Sequence, residues 1–172
     1  PFVEGDPPGH PLAETGLHLH RGLGDRPDDA LPDPRHPALG WRAYRDAPQT
    51  DDTTDWTALY VENLVPSAGR ELHPDTFILE VGFERLNGVD FRKGCYVGQE
   101  VTARMKHKTE LRKGLAQVHV DGPAEPGAEI TTNGKPAGTL HSRAGDRALA
   151  YLRFDRANGD MQAADATVRR LD

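Results

Sequence analysis

The only cysteine of the chain, Cys95, lies in the run KGCYVGQEVTAR at residues 93–104. Glycines on both sides of it permit a tight loop, and no helix-breaking residue stands between 99 and 107. The pattern therefore predicts a glycine loop that leads directly into a helix. At the N-terminus of that helix, the dipole and the neighbouring Lys93 would favour the reactive thiolate of Cys95. The alternative is that a single cysteine serves only as a small buried apolar residue.

Charged residues recur every four positions along the predicted helix, at Glu100, Arg104 and Lys108. This spacing predicts a ladder of ion pairs on one helix face. A short basic cluster at residues 105–113 follows in an otherwise acidic chain. It is interpreted either as a solvated helix end, where the dipole favours cations, or as a patch that binds an anion.

Three further side chains could contribute to a site. Glu80 lies among apolar residues, so its carboxylate is expected to be paired or turned toward a cleft, because an unpaired buried charge is costly. The alternative is a glutamate on the open face of a short helix. Trp41 and Arg42 lie in an apolar alternation at 38–46 that predicts a strand. Trp41 is equally compatible with a core position, whereas Arg42 is expected on the opposite face.

The composition limits the classes of function. The chain has 172 residues, a net charge of −6, 36% hydrophobic and 28% charged residues. An acidic balance argues against a general nucleic-acid binder, and no apolar run is long enough for a membrane span. One cysteine excludes an internal disulfide framework and a zinc or iron–sulfur site built from this chain's thiolates alone. The histidines at 10, 18, 20 and 36 lack a second ligand pair at metal-site spacing, so no metal site is expected.

The remaining pattern predicts an α+β chain in two parts. Residues 1–110 hold a short strand near 16–23, the strand at 38–46, a helix over 54–65 and the helix after the cysteine. Residues 111–172 hold five short strands, one pair joined by Asn133-Gly134, which is typical of a hairpin turn. Five strands at this spacing predict a small antiparallel β-barrel with a structural or lid role. The boundary is expected at 109–114.

The cysteine motif, together with Leu79-Glu80-Val81-Gly82 and the segment 86–89, resembles the YgfZ family of folate-binding proteins that maintain iron–sulfur clusters. The resemblance extends over about residues 30–172, and the segment before the cysteine is also similar to that of the glycine-cleavage T-protein. It implies part of a T-protein-like folate-binding α+β domain followed by a C-terminal β-barrel. Those families have a further domain on the N-terminal side, so the chain is expected to be the C-terminal portion of a longer protein.

The resemblance implies a maturation factor rather than an enzyme, with tetrahydrofolate or a derivative as cofactor. Such a factor supports assembly or repair of 4Fe–4S enzymes and, through them, tRNA modification. Its expected partners are iron–sulfur client proteins or assembly factors, in the bacterial cytoplasm or, in a eukaryote, the mitochondrial matrix. Direct nucleic-acid or membrane binding is not expected. Cys95 would be the reactive thiol, assisted by Lys93. The implied folate-binding residues are Glu80, Tyr96, Gln99, Glu100, Arg104, Trp41 and Arg42.

Two alternatives remain open from the sequence. One is a tetrahydrofolate-dependent aminomethyl transferase of the T-protein type. The other is a binding module that docks a partner through the barrel and keeps Cys95 buried.

Overall fold

The computed structural model describes residues 15–94, 99–108 and 111–171, with the side chains at 99 and 108 excepted. Two α-helices, nine strands and one 3₁₀ turn lie in this part of the chain. In chain order these are β1 (His18–Gly22), β2 (Leu31–Pro32), a 3₁₀ turn (Pro37–Leu39), β3 (Trp41–Arg45), α1 (Trp56–Glu62), α2 (Gln99–Lys108), β4 (Lys113–Asp121), β5 (Glu129–Thr132), β6 (Lys135–Ala144), β7 (Arg147–Arg153), β8 (Met161–Ala163) and β9 (Ala166–Arg170).

The N-terminal strands form a small antiparallel sheet in the order β1-β3-β2. Both strands expected from the sequence, near 16–23 and 38–46, are confirmed, whereas the two-residue β2 was not expected. At Gly22 of β1, the backbone and the Trp41 side chain of β3 are too close to leave room for any side chain but that of glycine. A Cβ added to Gly22 would lie 2.4 Å from the Trp41 ring, so the indole packs directly over the backbone of β1.

Helix α1 lies between the sheet and the barrel. Asp55 caps it by accepting a 2.9 Å hydrogen bond from the backbone N–H of Ala58. The helix contributes to two apolar clusters on its two sides. One contains Leu39, Trp56, Tyr60, Val65 and Leu86, and the other contains Val61, Val81, Leu115 and Leu149. Because the second cluster includes residues of β4 and β7, α1 packs the preceding segments against the barrel.

The six C-terminal strands form a closed antiparallel barrel in the order β4-β7-β6-β5-β8-β9. The expected barrel is thus confirmed, with one more strand than the sequence pattern indicated. The strand that was missed is β8, which has three residues and is too short to show an alternation. Its outer two residues are fully buried in the barrel core. Asn133 and Gly134 both have positive φ, at 50° and 72°, as the predicted hairpin turn requires.

Helix α2 confirms the helix expected after the cysteine loop. Its buried face is not the one that its apolar residues indicate, since Thr102 is buried and Val101 is 53% exposed. In the part of the chain that the structure describes, no helix combines the length and the apolar character needed to cross a membrane.

Candidate functional site

The cysteine loop itself, with Cys95 and Tyr96, lies outside the described residues. Its flanks are described. Gly94 has a φ of +89°, which favours glycine at the entrance to the loop. On α2, the guanidinium of Arg104 donates to the carboxylate of Glu100 at 2.5 Å, so the predicted i,i+4 pair is confirmed. Both side chains are largely exposed, so the pair adds little stability and Arg104 remains accessible to a ligand.

The segment before the loop has no helix or strand, and side-chain hydrogen bonds hold it to its neighbours. Lys106 of α2 donates to both carboxylate oxygens of Glu84 at 2.7 and 2.8 Å, and its ammonium lies 5.5 Å from the centre of the Phe91 ring. Arg85 donates to two carbonyls at the end of α1. Asn87 donates to the carbonyl of Pro34 at 2.7 Å. The chain therefore enters the cysteine loop from a segment that is fixed on several sides.

Glu80 joins the same segment to the barrel. Its backbone carbonyl accepts from the N–H of Leu115 at 2.7 Å, and its carboxylate accepts a short hydrogen bond from the hydroxyl of Tyr151. Burial and the Glu80 carboxylate both raise the pKa of the Tyr151 hydroxyl, which therefore stays neutral and donates. The expectation that Glu80 is paired is confirmed, and its partner is a barrel tyrosine.

Trp41 and Arg42 present two buried donors that have no hydrogen-bond partner among the described residues. These are the indole Nε1 and the guanidinium Nε. A buried donor without an acceptor is costly, so each of these groups fits an acceptor supplied from outside the protein. The ring nitrogens, carbonyl and carboxylates of a folate are acceptors of this kind. Because Trp41 and Arg42 are consecutive on β3, they lie on opposite faces of the sheet, and each fits such a ligand only on its own face.

The structure does not bring all the predicted residues into one set of contacts. No hydrogen bond or ion pair of the described residues joins Glu80 to Arg104, or either of them to Trp41 or Arg42. The reason is that the Glu80 carboxylate pairs with the barrel and the Arg104 guanidinium pairs along its own helix. Lys93 is exposed at the start of the loop.

Sequence reasoning missed a network of charged and aromatic side chains around α1. The guanidinium of Arg21 lies 4.3 Å from the Trp56 ring centre and donates to the Tyr60 hydroxyl at 3.0 Å. Arg35 forms a bidentate pair with Asp33, at 2.7 and 3.0 Å. Burial would raise the pKa of Asp33, but the bonds from Arg35 outweigh it and lower that pKa. The contacts of Arg21 and Arg35 with Tyr60 span 39 and 25 positions, so no local spacing could have indicated that these groups meet.

The sequence interpretation also overlooked histidines on the barrel surface. The sequence pattern predicted only a structural or lid role for the barrel, whereas His141 of β6 lies 6.4 Å from His73, measured between ring centres. Both line a groove of about 780 Å³ between the barrel and the loop at residues 67–73. Among the N-terminal histidines, the ring of His20 bonds to the carbonyl of Ala47 at 2.6 Å, and His10 lies outside the described residues. Within the described residues, no group of three or more potential ligands could hold a metal ion.

Comparisons with known proteins agree with the barrel and extend beyond it. Residues 112–171 match the family model described as CAF17, C-terminal beta-barrel domain. The mitochondrial iron–sulfur cluster assembly factor IBA57 of Mus musculus is 34% identical over 145 residues, covering 75% of this chain and 40% of that protein. The Homo sapiens protein of the same name is 33% identical over 144 residues, with the same coverage. A putative chloroplastic transferase of Arabidopsis thaliana is 35% identical over 92 residues, covering 54% of this chain and 21% of that protein.

The chain thus spans about two fifths of the length of the mouse and human relatives. The matches confirm that this chain is related to proteins named for iron–sulfur cluster assembly. They also confirm the C-terminal barrel.

Proposed function

We propose that this protein acts in iron–sulfur cluster assembly, in the bacterial cytoplasm or in the mitochondrial matrix of a eukaryote. The observation that carries the proposal is its 34% identity over 145 residues to an assembly factor of that name. The barrel match supports it independently of the cysteine motif. The partners would be proteins that receive clusters or deliver them, with 4Fe–4S enzymes as the final clients and tRNA modification affected through them.

The proposed reactive group is the thiol of Cys95. A thiolate is a nucleophile and a ligand for iron, and a cysteine followed by a helix N-terminus is favoured in that form. Lys93, two residues before it, would add a positive charge beside the sulfur. The segment that enters the loop is held by the Glu84–Lys106 pair and by Glu80 on the barrel, so the loop is presented from a fixed base.

Complementation tests this role. Cells that lack their own assembly factor of this kind would receive the full-length protein or its Cys95→Ala variant. We expect the unchanged protein to restore activity of a 4Fe–4S enzyme and the variant to fail, while a 2Fe–2S protein in the same cells serves as the reference. No restoration by the unchanged protein would contradict the assembly role. Full restoration by the variant would remove the thiol from the mechanism.

We further propose that the protein binds tetrahydrofolate, which would supply a carrier for one-carbon units. Trp41 or Arg42, which lie on opposite faces of the sheet, would donate to a ligand acceptor through a buried group that lacks a protein partner. Arg104 would pair with a ligand carboxylate in exchange for Glu100, since that pair is exposed. Glu80 would orient the ligand from its position on Tyr151. Tyr96 and Gln99 would complete the site from the cysteine loop and the start of α2.

Titration with tetrahydrofolate by calorimetry tests this assignment. We expect either Trp41→Phe or Arg42→Gln, whichever residue lies on the ligand's face of the sheet, to weaken binding by about tenfold, because it loses one hydrogen bond worth about 1–1.5 kcal/mol. Arg45→Gln is the matched control on the same strand, since its guanidinium already forms a bidentate pair with Asp29. Equal binding by all three variants, or no binding by the unchanged protein, would contradict a folate site here.

One observation favours a second candidate, a tetrahydrofolate-dependent aminomethyl transferase. The Arabidopsis relative carries the word transferase in its name and matches 54% of this chain. This candidate predicts steady turnover of an aminomethyl donor in the presence of tetrahydrofolate. Turnover that stays at background with folate-bound protein would exclude it without affecting the assembly role.

A further inference from the structure

The groove beside β6 collects positive charge in a chain whose net charge is −6. Arg70 and His73 line it from the loop at residues 67–73, and His141 and Arg143 line it from the barrel. A volume of about 780 Å³ lies within the range of small-molecule sites, which is roughly 300–1,000 Å³. Two arginines and two histidines thus line one space large enough for an organic ligand.

A buried carboxylate holds this arrangement in place. Glu71 is only 4% exposed, and its two oxygens accept from the backbone N–H groups of Ser67 at 2.8 Å and Ser142 at 3.0 Å. The pairing of β6 with β7 shifts register between Leu140 and Arg143, so the strand has an irregularity where His141 lies. Such irregularities redirect side chains. The Glu71 bonds therefore fix the loop to the barrel and hold His141 opposite His73.

Both arginines are also positioned by the protein. Arg143 donates to the carbonyls of Gly122, Ala124 and Gly145, at 2.8 to 3.0 Å. Arg70 reaches the hydroxyl of Thr57 on α1 at 3.4 Å. These partners are neutral carbonyl and hydroxyl groups. At these contacts no carboxylate balances the positive charge of either guanidinium group. The groove therefore presents positive charge before any ligand arrives, from Arg143, which three bonds hold, and from Arg70, which is exposed and has one long bond.

We propose that this groove binds a small organic anion through a carboxylate or phosphate group, held by Arg70, His73 and His141. An anion is favoured over a cation because two arginines are among the described residues that line the space and no carboxylate is. This site goes beyond the proposed function and does not depend on it.

Proton uptake accompanies anion binding in this groove. The pKa of His141 is lowered, mainly because the imidazole is partly buried and also because His73 is nearby. The Glu71 carboxylate and a hydrogen bond to the backbone of Arg70 act in the opposite direction but do not outweigh burial. His141 is consequently neutral at pH 7.5, and an anion that pairs with it must bring a proton. Affinity should then fall by up to tenfold for each pH unit above the histidine range.

Calorimetric titration with inorganic phosphate and, separately, with succinate at pH 5.5 and pH 8 tests the proposal. We expect at least one probe to bind at pH 5.5 and to weaken at least tenfold at pH 8. Phosphate alone indicates a phosphorylated ligand, and succinate alone indicates a carboxylate ligand. His141→Asn and Arg70→Gln should each reduce affinity at pH 5.5 by tenfold or more. His18→Asn, an exposed histidine that does not line the groove, should leave affinity unchanged.

His73→Gln keeps the test decisive if His141→Asn fails to fold, because His73 is exposed and its loss should not unfold the chain. Three results would overturn the proposal. One is that neither probe binds at pH 5.5. Another is that binding persists unchanged in the Arg70 and His73 variants. The third is that Zn²⁺ alone binds at pH 8 and is lost in the His73 variant, which would assign the histidines to a cation.

Discussion

Replacing Glu71 with alanine should destabilise the protein more than any change of a surface carboxylate. The substitution leaves two backbone N–H groups without their acceptor, that of Ser142, which is buried, and that of Ser67, which is partly buried. Each N–H group left without an acceptor destabilises the folded state by about 1–3 kcal/mol. Part of this loss is offset, because the variant no longer has to bury a carboxylate. We therefore expect a loss of about 2–4 kcal/mol in the free energy of unfolding, or a fall in Tm of about 5–15 °C for a chain of this size.

Chemical denaturation monitored by circular dichroism measures this loss. Glu71→Gln should cost less, about 1–3 kcal/mol, because its carbonyl oxygen still satisfies one of the two donors. Glu84→Gln is the control, since its bond to Lys106 is half-exposed and such pairs contribute about 0–1 kcal/mol. The Glu71 carboxylate also raises the pKa of His141, so Glu71→Gln should lower that pKa further in an NMR titration of the imidazole. A cost for Glu71→Ala no greater than that of the control would refute the reasoning.

Three further predictions follow from other contacts. Tyr151→Phe should cost about 1 kcal/mol at pH 7, because it removes the bond to Glu80. The folded pKa of Tyr151 is raised, so this stabilisation is present below about pH 10 and is lost at higher pH, and stability curves of the variant should lack that alkaline fall. Asp33→Asn should remove an acid-dependent loss of stability, because the Arg35 pair lowers the folded pKa and its stabilisation disappears as the pH falls from about 4. Gly138→Ala should cost about 2–3 kcal/mol on denaturation, because its Cβ would lie 2.2 Å from the carbonyl oxygen of Tyr151.

The elements that the sequence predicted correctly are those whose signals are local. The Asn133-Gly134 turn and the strand within the alternation at 38–46 each depend on residues within a few positions of one another. The helix after the cysteine motif is local in the same sense. Strand β8 was missed because three residues are too few to show an alternation of apolar and polar side chains. Its strand conformation depends on pairing with β5 on one side and β9 on the other.

The contacts around the candidate sites are distant in sequence, which is why the pattern did not reveal them. Tyr60 receives a hydrogen bond from Arg21 across 39 positions, and Glu71 binds Ser142 across 71 positions. Spacing rules for helices and strands contain no information about such pairs. The apolar neighbours of Glu80 indicated that its carboxylate needs a partner, but they could not identify Tyr151 as that partner.

These distant contacts converge on the segment that carries the chain into the cysteine loop. Glu80 attaches it to the barrel, Arg85 to the end of α1, and Lys106 attaches α2 to it. A segment without regular hydrogen-bonded structure would otherwise lose much conformational entropy to be held in one place. Side-chain bonds to three different neighbours offset that entropy cost. They hold the segment before the loop to the barrel on one side and to α2 on the other. The barrel therefore has a role in the proposed chemistry even though it supplies no thiol, because it fixes the base from which Cys95 is presented.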